Sequence, residues 1–378
     1  RGRRNPFSFC NDPVATMIRR MVWTAFLFVV GLVGLIVGAE WLVRGASRLA
    51  AVAGISPLVI GLTVVAFATS SPELAVSVVA AIKGSADLAL GNIVGSNISN
   101  ILLILGIAAS LRPITVHRQL IRMEVPLLIA VSAAILPLAS DGMLGRVDGL
   151  ALLAVLFVYL AWSIKVARRD ASAFAQQVEP DAAASKGRVG KQLGLVVVGL
   201  VVLLIGSQCL VSSATTMARA FGVSDLVVGL TIVAVGTSLP EIATSVLAVF
   251  RGESELAVGN AIGSNLVNLL GVLAATSVVA PGGVVVTPAA MAFDIPVMLA
   301  AAIACAPIFF TGLVISRAEG VVFLGYYVAY VAYVTLNAIQ HDALPAFSRA
   351  MWLFVIPITA VGLVFPIVMR ATARARKT

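Results

Sequence analysis

Residues 61–106 read GLTVVAFATSSPELAVSVVAAIKGSADLALGNIVGSNISNILLILG, and residues 229–274 read GLTIVAVGTSLPEIATSVLAVFRGESELAVGNAIGSNLVNLLGVLA. At an offset of 168, roughly 24 of about 46 positions are identical, where chance would leave a handful. The chain is therefore an internal duplication. The match continues outward: Gly38 and Glu40 align with Gly206 and Gln208, and Glu124 and Pro126 align with Asp294 and Pro296 two residues out of register. Each copy holds five apolar segments. Five is odd, so in a membrane the second copy runs upside down relative to the first. Inverted repeats of this kind build secondary transporters, with the binding site near the midplane between the copies.

The composition agrees with a membrane setting. Of 378 residues, 60% are hydrophobic and 11% charged, and the mean hydropathy is +1.06. A soluble domain carries about 25% charged residues, so a soluble enzyme, a disordered chain and a nucleic-acid-binding module are excluded. The net charge of +9 is spread over short loops, which is the pattern of a positive-inside bias and not of a nucleic-acid patch. Cys10, Cys209 and Cys305 lie far apart, and His117 and His341 are the two histidines. Neither a disulfide framework nor a zinc or haem centre is indicated.

A span needs about 20 apolar residues. Eleven are expected, near 22–43, 55–82, 87–110, 124–140, 144–167, 193–217, 225–250, 254–280, 290–312, 318–339 and 351–369. Continuous apolar runs without alternation favour helices over a barrel. The expected fold is an all-α polytopic membrane protein. Two inverted five-helix repeats, 22–167 and 193–340, form a ten-helix core, and 351–378 adds one C-terminal helix and a basic tail. Residues 168–192 form the longest polar stretch and are expected as a cytoplasmic linker. Placing it inside also places Arg44, Arg48, Arg112, Arg118, Arg122, Arg370, Arg374, Arg376 and Lys377 inside, leaving Lys83, Arg146, Arg219 and Arg349 opposite. The expected topology is N-terminus outside and C-terminus cytoplasmic, in the inner (plasma) membrane. The basic tail 1–21 dissents. It begins with Arg1 instead of Met, and is expected to be an upstream translation artefact or a cloning remnant, with Met17 or Met21 as the start.

Glu73 and its mirror Glu241 sit inside apolar segments, where an acid costs about 2.5–3.5 kcal/mol on insertion scales. Pro72 and Pro240 precede them. Proline lacks an N–H, so the carbonyls of Ala68 and Gly236 lose their helical donors and the helix breaks. Thr69, Ser70, Ser71, Thr237 and Ser238 are expected to cap the half-helix that follows. Freed carbonyls and a half-helix end suit a cation. In the next span Asn92, Ser96 and Asn100 recur at i, i+4 and i+8 and form a stripe on one face; Asn260, Ser264 and Asn268 repeat it. Asn92 and Asn260 are expected to bond neighbouring helices, and the other four to act as ion ligands. Gly91, Gly95, Gly259 and Gly263 are expected to allow close helix contact. Glu40 precedes Arg44 by four residues, as in an ordinary helical ion pair. Glu124 and Asp294 read as structural anchors at span entrances.

Carboxylates, hydroxyls, amides and carbonyls are hard oxygen donors. They suit calcium or sodium, less well magnesium, and neither copper nor zinc. Calcium takes 6–8 oxygens, a number that two half-sites can supply. Two carboxylates balance one divalent ion or two monovalent ions.

The motif pair, an ATSSPE or GTSLPE followed by GNxxGSNxxN and repeated in both halves, resembles the calcium/cation antiporter superfamily. The resemblance is closest to its bacterial and archaeal sodium/calcium exchanger-like branch and covers about residues 22–340. It implies a ten-helix fold whose second, third, seventh and eighth helices form the ion site, with the first and sixth sliding against a rigid core. It also implies the ligands: Glu73 and Glu241 as the central acids, Thr69, Ser70, Thr237 and Ser238 before the proline, the carbonyls of Ala66 and Ala234, and Ser96, Asn100, Ser264 and Asn268. This sequence departs from the family in having Ala68 where glycine is common, and in having Asn268 where some exchangers carry Asp.

The function expected on these grounds is sodium/calcium antiport by alternating access. Proton/calcium (or other cation) antiport on the same fold is the alternative, and a passive cation channel is the alternative of another class. A lipid-directed enzyme would need a nucleophile with a base, or a metal site, and no His or Cys lies near the acids, so no catalytic residue is expected. No cofactor, nucleic acid or obligate protein partner is implied. The substrates expected are calcium and sodium (or protons), and the surroundings are the bilayer.

Overall fold

The computed structural model describes residues 13–175, 189–222, 234–306 and 313–357. The first repeat runs through α1 (Pro13–Ala53), α2 (Pro57–Thr69), α3 (Ser71–Ile82), α4 (Leu88–Leu111), α5 (Leu120–Leu138) and α6 (Arg146–Ala175). The second runs through α7 (Val189–Ala220), α8 (Ala234–Gly236), α9 (Leu239–Phe250), α10 (Ser254–Val279), α11 (Ala290–Ala304) and α12 (Arg317–Ala338). A short α13 (Leu344–Ala350) follows.

Among the described residues seven helices are long and apolar enough to cross a membrane, and eight if the bent pair α2–α3 is one span. Two expected spans are described only in part. The span 225–250 is represented by α8 and α9, with 223–233 outside the described residues, and 290–312 by α11, with 307–312 outside them. The eleventh expected helix begins earlier, at α13, and continues to residue 357; residues 358–369 lie outside the description. The linker is shorter than expected. Helix α6 reaches Ala175 and α7 starts at Val189, so only 176–188 fall between them. Likewise 13–21 of the basic tail belong to the first helix.

Among the described residues four two-residue strands join the repeats of this helical fold: β1 (Ile114–Thr115) pairs with β4 (Val314–Ile315), and β2 (Met143–Leu144) with β3 (Val284–Val285), both antiparallel. By position in the repeat, β1 is the counterpart of β3 and β2 that of β4. Each strand pairs with the other repeat's non-equivalent strand. That requires the α4–α5 connection of the first copy to share an end of the bundle with the α11–α12 connection of the second, and this is the inverted arrangement. Such strands are too short to leave a periodic pattern in the sequence.

Small residues set the helix contacts. A side-chain Cβ on Gly38 of α1 would overlap the Leu203 backbone of α7, and one on Gly206 would overlap Leu35. The two mirrored glycines thus let the long first helices of each repeat cross at backbone distance, which gains dispersion contact where lipid supplies no hydrophobic drive. Elsewhere α1 and α7 present Trp23, Phe26, Val29, Val197, Val201 and Ile205 outward, as lipid-facing surfaces do. The interior of the bundle is α2–α4 with α9 and α10, where α10 packs on α2 through Gly259 and Gly263. A Cβ on Gly263 would lie 2.7 Å from Leu62 Cα and 2.8 Å from Ala66 Cβ. The expected counterpart contact at Gly91 and Gly95 is not seen among the described residues, where nothing lies within 4 Å. The segment mirroring α2 falls at 225–237, of which 225–233 lie outside them.

Candidate ion-binding site

The chain bends by 42° between α2 and α3, at the break that Pro72 was expected to make. Glu73 lies in the first turn of α3, and Glu241 in the first turn of α9 after Pro240. Each carboxylate therefore meets the N-terminal end of a half-helix, where unpaired N–H groups favour negative charge. Both glutamates are 1% exposed.

The expected caps do not form. Ser70 and Ser238 occupy the N-cap positions of α3 and α9 without a side-chain capping bond. Ser71 instead donates backwards to the carbonyl of Ala68 at 2.6 Å. The carbonyl of Gly236 accepts from Ser207 of α7 at 3.2 Å. The two carbonyls that proline strips of a helical donor are thus both taken by hydroxyls, from a local serine in one half and a neighbouring helix in the other. A buried carbonyl left bare costs free energy, and a nearby hydroxyl is the cheapest remedy. The carbonyl of Ala66 accepts the Ser70 N–H at 3.0 Å and the Thr69 hydroxyl at 3.4 Å. Ala234 begins α8, at the edge of the described residues.

The stripe on α4 and its mirror on α10 divide their work. Asn92 Nδ2 donates to Ser77 Oγ at 3.0 Å and to the Glu73 carbonyl at 3.5 Å. Asn260 Nδ2 donates to Ser245 Oγ at 3.0 Å and to the Glu241 carbonyl at 3.5 Å. These mirrored bonds strap each acid-bearing half-helix to the next span. Ser96 Oγ donates to Glu73 Oε1 at 3.5 Å. Thr69 Oγ1 donates to Asn260 Oδ1 at 3.1 Å and lies 3.4 Å from Ser264 Oγ. Thr237 is half-buried.

Asn100 and Asn268 each begin a π-turn, Asn100–Leu105 and Asn268–Leu273. The extra residue in such a turn re-aims the side chains beyond it, which is why π-turns collect at functional sites.

Seven buried side-chain oxygens of this set have no hydrogen-bond partner: Ser70 Oγ, Glu73 Oε2, Asn100 Oδ1, Ser238 Oγ, Glu241 Oε1 and Oε2, and Asn268 Oδ1. Buried polar atoms are nearly always satisfied. Unpartnered oxygens recurring in both mirrored halves are hard donors of the kind that calcium, which takes 6–8 oxygens, accepts.

Two residues escaped the sequence reading, Asn97 and Asn265. Both are almost fully buried, and Asn100 Nδ2 donates to Asn265 Oδ1 at 2.9 Å across the repeat boundary. They stand one residue after Ser96 and Ser264, off the stripe. Their repetition within the duplicated GSN was the available signal. Glu40 does pair with Arg44, and also with Arg251 of the other repeat, while Ser47 donates to Glu253 at 2.6 Å. Glu124 is fully buried and accepts from Gln119 at 3.1 Å; Asp294 accepts from Tyr330 at 3.1 Å.

Known proteins are similar to this chain in sequence and fold. The family described as sodium/calcium exchanger protein matches residues 23–165 and 191–336. The chain belongs to that family. It is thus a multi-pass membrane antiporter of the exchanger type, a transporter family and not an enzyme family. The solved structure of the sodium-calcium exchanger NCX_Mj soaked with 10 mM Na+ and zero Ca2+ matches with a TM-score of 0.72 at 30% identity, covering 82% of this chain and 99% of that one. The sodium/calcium exchanger MaX1 of Methanosarcina acetivorans is 30% identical over 345 residues, 82% of this chain and 98% of that protein. The inner membrane protein YrbG of Escherichia coli K12 is 38% identical over 285 residues, 74% of this chain and 86% of that protein.

Proposed function

We propose that this exchanger moves calcium against sodium by alternating access, with both ions bound in turn between α2–α4 and α8–α10. The observation that carries the reading is the set of seven unpartnered buried oxygens around Glu73 and Glu241. Two carboxylates offset one calcium ion or two sodium ions, so the same pocket can be charge-balanced in either half of the cycle. The hydroxyls of Thr69, Ser70, Thr237, Ser238, Ser96 and Ser264, the amides of Asn100 and Asn268, and the carbonyls of Ala66 and Ala234 replace hydration water. Differential binding to the inward- and outward-facing states drives exchange. The relatives named as sodium/calcium exchangers support the choice of ions. The name of the Escherichia coli relative supports an inner-membrane location, and the basic-residue bias supports a cytoplasmic C-terminus.

The test is calcium-45 uptake into proteoliposomes loaded with sodium, against vesicles loaded with potassium or carrying a pH gradient. Uptake that requires internal sodium supports the reading. Uptake that follows only the pH gradient replaces it with proton coupling, and passive equilibration without a counter-ion replaces it with a channel.

A further inference from the structure

The two asparagines outside the ligand set have a direction to their hydrogen bonds. Asn265 Nδ2 donates to the backbone carbonyl of Asn97 at 3.2 Å. A carbonyl can only accept, so this contact fixes which end of the Asn265 amide faces it. The oxygen of Asn265 must then face the opposite way, toward Asn100, which meets it with Nδ2 at 2.9 Å. That in turn forces Oδ1 of Asn100 away from Asn265, and this oxygen is buried and without a partner. Asn100 sits one turn beyond Ser96, whose hydroxyl reaches Glu73. One backbone carbonyl of the first repeat therefore sets, through a side chain of the second, which end of a candidate ligand is offered to the ion.

The mirror relay is not made. Asn97 Nδ2 donates at 2.8 Å to Ile93 O within its own helix. Its Oδ1 is unpartnered, as are both Oδ1 and Nδ2 of Asn268. All four asparagines are at most 1% exposed. The pocket is symmetric in sequence and asymmetric in hydrogen bonding.

We infer that Asn265 is a positioning residue that holds the Asn100 amide with its oxygen toward the ion, so that the first-repeat amide is a fixed cation ligand while its mirror Asn268 is free to rotate. An unrestrained amide presents oxygen and NH2 with similar ease, and an NH2 repels a cation. The inference rests on the ion-site reading above, and the experiment separates the two.

Calcium affinity would be measured by titration calorimetry on the purified full chain in sodium-free detergent, with the ion-free unfolding midpoint as the fold control. Asn265→Leu removes the acceptor and is expected to raise the calcium dissociation constant about ten-fold. A carboxylate has two equivalent oxygens and no wrong end. Asn100→Asp combined with Asn265→Leu is therefore expected to return the constant to within about three-fold of the parent. Because the new charge alone strengthens cation binding, rescue is counted only where Asn100→Asp restores more to the Asn265→Leu variant than it adds to the parent, which a merely structural role for Asn265 would not produce. Asn265→Ser makes the same prediction if the leucine variant does not fold. An unchanged constant in the folded single variant overturns the inference, as does a loss that Asn100→Asp leaves in place. A parent protein that binds neither calcium nor sodium overturns the ion site itself, and this inference with it.

Discussion

The Thr69 hydroxyl of the first repeat donates to Asn260 Oδ1 of the second at 3.1 Å, both side chains being fully buried. Asn260 passes the connection on, through Nδ2, to Ser245 of α9. A candidate ligand of one half-site thereby helps to hold the helix that carries the acid of the other. Binding geometry and repeat docking share the same atoms.

It follows that Thr69→Val, nearly equal in volume, leaves the buried Asn260 Oδ1 without its hydroxyl donor. Leaving a buried acceptor unpaired costs about 1–3 kcal/mol. The expected result is a lower ion-free unfolding midpoint in detergent. Thr237→Val, at a half-buried position, is expected to lower it less.

The glutamates behave differently, because three of their four carboxylate oxygens are buried without a protein partner. Glu73→Gln and Glu241→Gln each halve the fixed negative charge of the pocket at almost constant shape. Each is expected to cut sodium-dependent calcium uptake by at least ~100-fold, which equals about 2.8 kcal/mol of lost ion stabilisation. Calcium should raise the unfolding midpoint of the parent protein by mass action and leave that of both variants unmoved. Variants that keep the calcium-induced shift would remove the two acids from the site.

Hydropathy made the spans legible because lipid demands a run of apolar residues, and it located α4, α10 and α12 to within a few residues. It could not find helix ends. The helices α6 and α7 run on past the apolar runs to Ala175 and from Val189, since the polar flanks form helix outside the apolar zone and hydropathy reports only the zone. The stripe of Asn92, Ser96 and Asn100 was legible because helical periodicity puts those residues on one face. Asn97 and Asn265 were not, because a residue one step along a helix points about 100° away, and only the tertiary arrangement shows that this direction faces the other repeat. The hydroxyl replacements at Ala68 and Gly236 were hidden for the same reason: Ser71 and Ser207 occupy unrelated positions, and nothing in the duplicated sequence links them.

Gly263 is set by close approach between the repeats. With 2.7 Å to Leu62 Cα, Gly263→Ala must push α2 from α10, and overpacking of this kind costs about 1–3 kcal/mol. The expected readout is a lower unfolding midpoint together with weaker calcium binding, since α2 carries Thr69. Gly325→Ala on α12, where no described atom lies within 4 Å, is expected to leave calcium binding unchanged and not to lower the midpoint, since alanine is the better helix former.

Pro72 sets the bend that brings Glu73 to a helix start. Pro72→Ala supplies an N–H that can reach the Ala68 carbonyl in the ordinary helical way. That carbonyl is now held by Ser71 Oγ at 2.6 Å, so the new N–H competes with the hydroxyl instead of filling a gap. If the N–H wins, α2 and α3 approach one continuous helix, the 42° bend closes, and the Glu73 carboxylate turns away from Glu241. Pro72 lies in the first turn of α3, where proline costs the helix little. The variant is therefore expected to unfold near the parent's temperature and yet bind calcium about ten-fold more weakly. A variant of lower stability and unchanged affinity would show that the bend is held by the packing of α3 against α4 through Asn92 and Ser77, with the proline merely tolerated there. Adding Ser71→Ala separates these cases. It removes the competing hydroxyl, and is expected to deepen the affinity loss of Pro72→Ala only if the carbonyl of Ala68 controls the bend.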